Sequence, residues 1–233
     1  MVVNIAHRGA SAYYTENTIS AVKEAIYQKA DMIEVDIRFT KDHVPVLSHD
    51  ATLYRLAKKH VYIHSLTLDQ LKAFKINHKE QITTLEDFLD ISRGRIGIVL
   101  DVKENNNVKA IVNLIKSRNM ESKVIFSSPD IRELKKVKRL DPKIRVAIVY
   151  RLKLGIIEKA RHAKAYSIHP YHLAATNSLI RSAHKHKIKV FPYTVNRSKR
   201  MKQLINAGVD GMITNKPVLL RNVIHNFPHN RKL

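Results

Sequence analysis

Residues 5–18 read IAHRGASAYYTENT, an apolar run that passes straight into His7, Arg8 and Gly9 and then offers Glu16 and Asn17 ahead of a helical pattern. The stretch combines a titratable imidazole, a permanent cation, a flexible backbone point and a carboxylate. Further on, MIEVDIRF sets Glu34, Asp36 and Arg38 in an otherwise apolar segment. Side chains alternate along a strand, so these three share one face. Two carboxylates on one face of an apolar strand repel and lose hydration, and therefore require a cation. Arg38 or Lys103 could neutralise them; a hard divalent ion suits oxygen ligands better, with Asp101 as a third carboxylate. The chain has no cysteine, which leaves carboxylates, histidines and water as ligands for any metal.

Imidazole titrates near neutrality, which makes His7 and His49 candidates for general base and general acid. One histidine among 13 says little alone. These two stand out by their position at the ends of apolar runs and by their acidic company, Asp50 following His49 directly. Arg8 through its planar fork and Lys103 as a point charge suit a phosphate. His169 ends another apolar run, and FPYTVN at 191–196 ends the next. Metal-assisted cleavage of a phosphodiester uses all of these parts: a cation polarises a phosphoryl oxygen while the histidines move protons at the attacking and leaving oxygens.

Such groups must be held by a scaffold, and the pattern around them supplies one. Apolar, β-branched runs at 3–7, 32–38, 96–102, 123–127, 145–150, 165–169, 189–194 and 211–214 read as strands. Helical periodicity lies between them, most clearly at 17–30 with Asn17 as N-cap, 107–118, 130–140, 177–187, and 198–207 starting at a Ser198 cap and ending before Gly208. Eight strand-then-helix units with strands too apolar to be half exposed imply a parallel sheet covered by helices. Eight is also the closing number of a (β/α)8 barrel, in which the carboxyl ends of the strands form the active face; an open doubly wound sheet fits the same periodicity. The rhythm breaks once, at about 42–82, where DHVPVLSHDATLYR and SLTLDQLKAF add a hairpin-like segment and short helical turns. With no low-complexity linker, the expectation is one domain over 1–233 carrying that small insertion after the second strand.

Lysine and arginine exceed aspartate and glutamate by 42 to 20, a formal charge of +22, which favours polyanions as partners. The charge is spread over RELKKVKRL, HKHKIK and NRSKR rather than gathered in one patch, and no zinc-finger, KH or RRM signature accompanies it. A generally basic surface is expected, with an anionic membrane surface as a candidate partner and no specific nucleic-acid site. MVVNIAH is too short for a secretory apolar region, and no run approaches the length of a membrane span. The expectation is a soluble cytoplasmic protein.

HRG followed by ENT (7–9, 16–18), ADMIEVDIRFTKD (30–42), PVLSHDATLYR (45–55), LDVK (100–103), FPYTVN (191–196) and GVDGMITNKP (208–217) stand in an order that resembles the glycerophosphodiester phosphodiesterase family across nearly the whole chain. The resemblance implies a TIM barrel with an insertion after the second strand and a divalent-metal hydrolase that releases an alcohol and glycerol phosphate. A substrate hydroxyl attacking to give a cyclic phosphate is one route to those products. By position, His7 and His49 are the acid/base pair, Arg8 and Lys103 contact phosphate, and Glu34, Asp36 and Asp101 bind Mg2+ or Ca2+, with Mn2+ as a further candidate. Glu16, Asn17 and Tyr193 take supporting places. Four positions depart from the family's usual residues: Asp101 for glutamate, His43 for a turn glycine, Tyr193 for tryptophan and Asn215 for aspartate.

Two rival functions fit some of these features. A lysophospholipase D or sphingomyelinase D activity uses a similar barrel on lipid substrates, and a non-catalytic polyanion-binding barrel would explain the charge. The complete set His7, His49, Glu34 and Asp36 favours a glycerophosphodiester as small-molecule substrate over the second rival.

Overall fold

Strand and helix alternate along the chain as the apolar periodicity anticipates. A computed structural model describes residues 2–77, 79–104, 107–152 and 155–227; the remaining positions of the expected domain lie outside the described residues. In chain order the elements are β1 (Val3–His7), α1 (Ile19–Tyr27), β2 (Met32–Phe39), β3 (Pro45–Leu47), α2 (Tyr54–Ala57), α3 (Leu68–Lys72), α4 (Leu85–Ser92), β4 (Gly97–Val102), α5 (Val108–Ser117), β5 (Val124–Ser128), α6 (Ile131–Leu140), β6 (Arg145–Tyr150), α7 (Ile156–His162), β7 (Ser167–Pro170), α8 (Asn177–Lys185), β8 (Lys189–Val190), α9 (Ser198–Asn206), β9 (Gly211–Thr214) and α10 (Pro217–His225).

The sheet runs β8-β7-β6-β5-β4-β2-β1-β9, every neighbour parallel, with β3 antiparallel on β2. Its two edges meet. Val195 N–H donates to Ile213 O and Ile213 N–H to Pro192 O, each at 2.9 Å, so the sheet curls into a nearly closed eight-stranded barrel. The periodicity left closure open; these bonds between the last two strands decide it. The run expected at 189–194 is regular strand only at Lys189–Val190; around Pro192, which has no N–H to donate, pairing continues as a single parallel bridge between Tyr171 and Tyr193.

Alternation divides the apolar side chains. Ile5, Val99, Ile125, Ala147, Phe191 and Ile213 point inward and fill the barrel, while neighbours such as Ala6, Leu100, Phe126 and Ile148 pack outward against the helices. The barrel is therefore solid below its carboxyl-end rim. The insertion has its own small core of Val46, Leu53, Ile63, Leu71, Ile76 and Ile82, and its helix α3 starts with a capping box between Thr67 and Gln70.

Two expected caps are corrected. Thr18, not Asn17, caps α1, its hydroxyl accepting from Ala21 N–H at 3.3 Å. Asn17 sits just before it at φ 58°, a conformation asparagine tolerates better than most residues, and its side chain is used elsewhere. α9 begins at Ser198 itself; Arg197 occupies the cap position without a side-chain bond.

Candidate active site

The carboxyl ends of the strands surround a cavity of about 510 Å3 lined on one side by His7, Arg8, Glu34, Asp36, His49, Asp101 and Lys103. β1 delivers His7 beside Glu34 of β2, and β2 sets Asp36 opposite Asp101 of β4 in parallel register. The three carboxylates are buried and offer oxygens within 4.8 Å of one another. Burial raises the carboxyl of Glu34 well above its ordinary range, and Asp36 and Asp101 add to the rise. Burial likewise raises Asp101. Asp36 lies below its ordinary range: burial opposes this, and Lys103, Arg8 and His7 outweigh it.

Lys103 is the chief counter-charge, 2.8 Å from Asp36 Oδ1 and bonded also to Asp101 Oδ2. Arg8 is the second, its Nε 2.9 Å from Asp36 Oδ2. Arg38, the other cation expected to neutralise the pair, does not reach it. Its guanidinium donates to Glu104 at 2.6 Å and to the carbonyl of His49 at 2.9 Å, so it braces the segment carrying His49. Three buried carboxylates against two cations leave an acidic oxygen site, the donor set a hard divalent ion takes.

Arg8 stands at φ 57° and donates its backbone N–H to Glu34 O at 2.7 Å. Gly9 follows at φ 81°, where a β-carbon would lie 2.7 Å from Ala21; only glycine lets the loop lie so close to α1. Asn17 clamps Asp36 from both sides, its Nδ2 donating to Oδ2 at 3.0 Å and its Oδ1 accepting from the Asp36 N–H at 3.2 Å.

The histidines are held differently. Burial, with help from Arg8, pushes His7 down to about 4, so its ring is neutral at pH 7. Nδ1 lies 2.6 Å from Asn215 Oδ1. A carbonyl oxygen only accepts, which assigns the proton to Nδ1 and the lone pair to Nε2. His49 is more open, and its Nδ1 lies 2.8 Å from Asp50 Oδ1. Arg55 joins the two groups: Nε donates to Asp50 at 2.5 Å and NH2 to Glu16 at 2.6 Å, while the same Glu16 oxygen is 2.8 Å from Arg8 NH1. An unbroken chain thus runs from His49 through Asp50, Arg55, Glu16 and Arg8 to Asp36.

Eight of the ten expected site residues line this cavity, and the other two, Glu16 and Asn17, bond to its lining residues Arg8 and Asp36. Tyr193 lines its far wall, with its hydroxyl pushed up by burial and by the charge of Asp101. His169 is also on the wall, buried, driven down to about 3 by that burial, its Nε2 3.0 Å from Ser167 Oγ. Sequence reasoning assigned no role to Arg55, to Ser127, whose hydroxyl lies 3.4 Å from Asp101, or to Glu104. Arg55 ends the PVLSHDATLYR motif and was within reach; Glu104 carried no signal. His43 adopts φ 62°, which accounts for the family's glycine there.

A family model for the glycerophosphoryl diester phosphodiesterase family matches residues 7–219. The chain belongs to this family. It is 35% identical to the glycerophosphodiester phosphodiesterase of Caldanaerobacter subterraneus subsp. tengcongensis, an alignment covering 94% of this chain and 96% of that protein. Among solved structures, the glycerophosphodiester phosphodiesterase of Thermotoga maritima superposes with a TM-score of 0.85 at 28% identity, covering 96% of this chain and 99% of that one. An Oleispira antarctica phosphodiesterase in complex with the product sn-glycerol-3-phosphate gives 0.90 at 23% identity, with 97% of each chain covered. In this family member, among the described residues, no helix is long and apolar enough to cross a membrane.

Proposed function

We propose that this chain hydrolyses glycerophosphodiesters to an alcohol and glycerol phosphate, with His7 as general base and His49 as general acid. One observation carries the reading: two histidines with ordered Nδ1 atoms and a buried carboxylate trio share one cavity. Glu34, Asp36 and Asp101 fit a divalent cation, Mg2+, Ca2+ or Mn2+, which when bound supplies Lewis-acid polarisation of a phosphoryl oxygen.

The remaining work falls to the side chains. His7 is neutral at pH 7 and offers Nε2 to take the proton of the attacking hydroxyl. Asp50 orients His49, which delivers a proton to the departing alkoxide oxygen. Arg8 and Lys103 keep positive charge beside the phosphate position, and Asn17 and Glu16 keep Asp36 and Arg8 in place. The attacking hydroxyl belongs to water or to the substrate glycerol, the latter giving a cyclic phosphate first. Assay of glycerophosphodiesters with each metal added to chelated protein tests the reading; no turnover with any of them, together with steeply salt-dependent polyanion binding, would favour the non-catalytic barrel.

A second reading concerns where the enzyme works. Tyr13, Tyr14, Tyr54, Tyr62, Leu152 and Leu173 make up most of the exposed large apolar side chains among the described residues. Leu152 lines the cavity, and the others lie in the loops that follow β1 and β7 or in the insertion after β2. Tyrosines and leucines beside a chain of +22 charge suit the headgroup layer of an anionic bilayer. Co-sedimentation with phosphatidylglycerol vesicles, but not phosphatidylcholine vesicles, should fall when Tyr54, Tyr62 and Leu173 become serine. Unchanged binding would reduce the effect to general charge.

A further inference from the structure

The cavity has a second wall that the reaction above does not use. Opposite the carboxylate trio, the ends of β6 and of the segment after β8 contribute Val149, Tyr150, Arg151, Leu152, Tyr193 and Thr194. Its charge differs from that of the catalytic side. Each cation there is committed, Arg8 to Asp36 and Glu16, Lys103 to Asp36 and Asp101. Arg151 has no carboxylate partner among the described residues; its guanidinium lies over the ring of Tyr171, 5.4 Å from the centroid. Tyr171 in turn meets Tyr193 edge-on at 6.3 Å and 72°. A cation–π contact orients the guanidinium and leaves its charge available.

Two further features bear on what this wall can hold. Tyr150, buried on the same wall, keeps a hydroxyl without a hydrogen-bond partner among the described residues, a deficit that a polar ligand atom would repair. No carboxylate lines this side, since the acidic residues of the cavity are Glu34, Asp36 and Asp101 of β2 and β4. An ammonium group is normally received by a carboxylate or by an aromatic face. Here the carboxylates belong to the metal site, the face of Tyr171 is taken by Arg151, and the charge of Arg151 also acts on Tyr193, which lines the wall itself.

We propose that this wall is the subsite for the departing alcohol and that Arg151 makes it selective by charge, admitting neutral polyols and anionic alcohols over ammonium-bearing ones. The proposal rests on the hydrolase reading above. The alcohol, rather than the glycerol, is placed here because Arg151 and Leu152 leave this rim exposed to solvent, so alcohols of different size can extend past it. The opposite rim is closed by the Glu16–Arg55–Asp50 network.

The test compares kcat/KM for glycerophosphoglycerol, glycerophosphoinositol, glycerophosphocholine and glycerophosphoethanolamine. The wild-type enzyme should favour the first two by about tenfold or more, as expected for one partly exposed charge acting across a few ångströms. Arg151→Glu should shift the glycerol-to-choline ratio towards choline by at least about tenfold, and Arg151→Lys should keep the wild-type order. An equal fall for all four diesters in Arg151→Glu, or a ratio that it leaves in place, overturns the proposal. Wild-type turnover of none of the four overturns instead the hydrolase reading beneath it.

Discussion

The two halves of the barrel mouth are built on opposite principles. Around β1, β2 and β4, nearly every polar atom is tied to another: Asp36 alone is held by Asn17, Arg8 and Lys103. Around β5 to β8, the wall is aromatic and apolar, His169 is kept neutral by burial with only Ser167 as a hydrogen-bond partner among the described residues, and Arg151 has no ionic partner among them. A reacting centre needs groups fixed in place before substrate arrives, and a network in which each charge restrains the next provides that. A surface that chooses among alcohols needs free valences instead. Changes on the first side should therefore lower the turnover of every substrate alike, and changes on the second should alter the ratio between substrates.

The largest effect expected on the catalytic side is metal removal. Exhaustive chelation should abolish turnover and added Mg2+, Ca2+ or Mn2+ should restore it; full activity in chelator would require another account of the buried trio. Next, His7→Ala and His49→Ala should each lower kcat by about 10^2-fold or more for all diesters, the scale of a lost proton carrier, and near-normal rates in either would remove its assigned role. Arg55→Ala touches neither substrate nor metal but cuts the link between Asp50 and Glu16. A fall of roughly tenfold in kcat, equal across substrates, is the expected cost of slightly misplacing both partners, and a substrate-dependent fall would blur the division between the halves.

The smallest expected effect is on stability and belongs to the opposite wall. His169 stands at about 3 in the folded chain against 6.5 when free. Below pH 6.5 the unfolded chain therefore binds more protons than the folded one, so stability is fully present above 6.5 and falls as pH drops towards 3. Between pH 6.5 and about 4.5 the loss should be roughly 2 kcal/mol, read from urea denaturation of chelated protein. His169→Gln should flatten that slope; an unchanged slope would assign it to other groups, such as His7.

Much of this arrangement was legible in local pattern. Parity along β2 placed Glu34 and Asp36 on one face, and the strand end of β4 supplied Asp101, because alternation is a property of the strand itself. Helix periods located α1, α5, α6, α8 and α9, while α7 and α10 went unassigned; α7 is only Ile156–His162, too short to show a period. Asn17 reads locally as a cap, since asparagine before an apolar helical stripe commonly is one. Its use by Asp36, 19 residues away, becomes visible only when β2 lies beside the first loop.

From its sequence alone, this chain declares an alternating α/β scaffold, the titratable groups at its strand ends and the oxygen chemistry of its site. Tertiary structure decided the pairings. Arg38 turned to Glu104 and left the trio to Arg8 and Lys103; His7 found Asn215 across 208 residues; Arg55 joined the insertion to the first loop. The reason is physical: side-chain periodicity is set by neighbouring backbone dihedrals, but a hydrogen bond or ion pair between distant residues exists only once strand register and barrel closure have fixed where both partners stand.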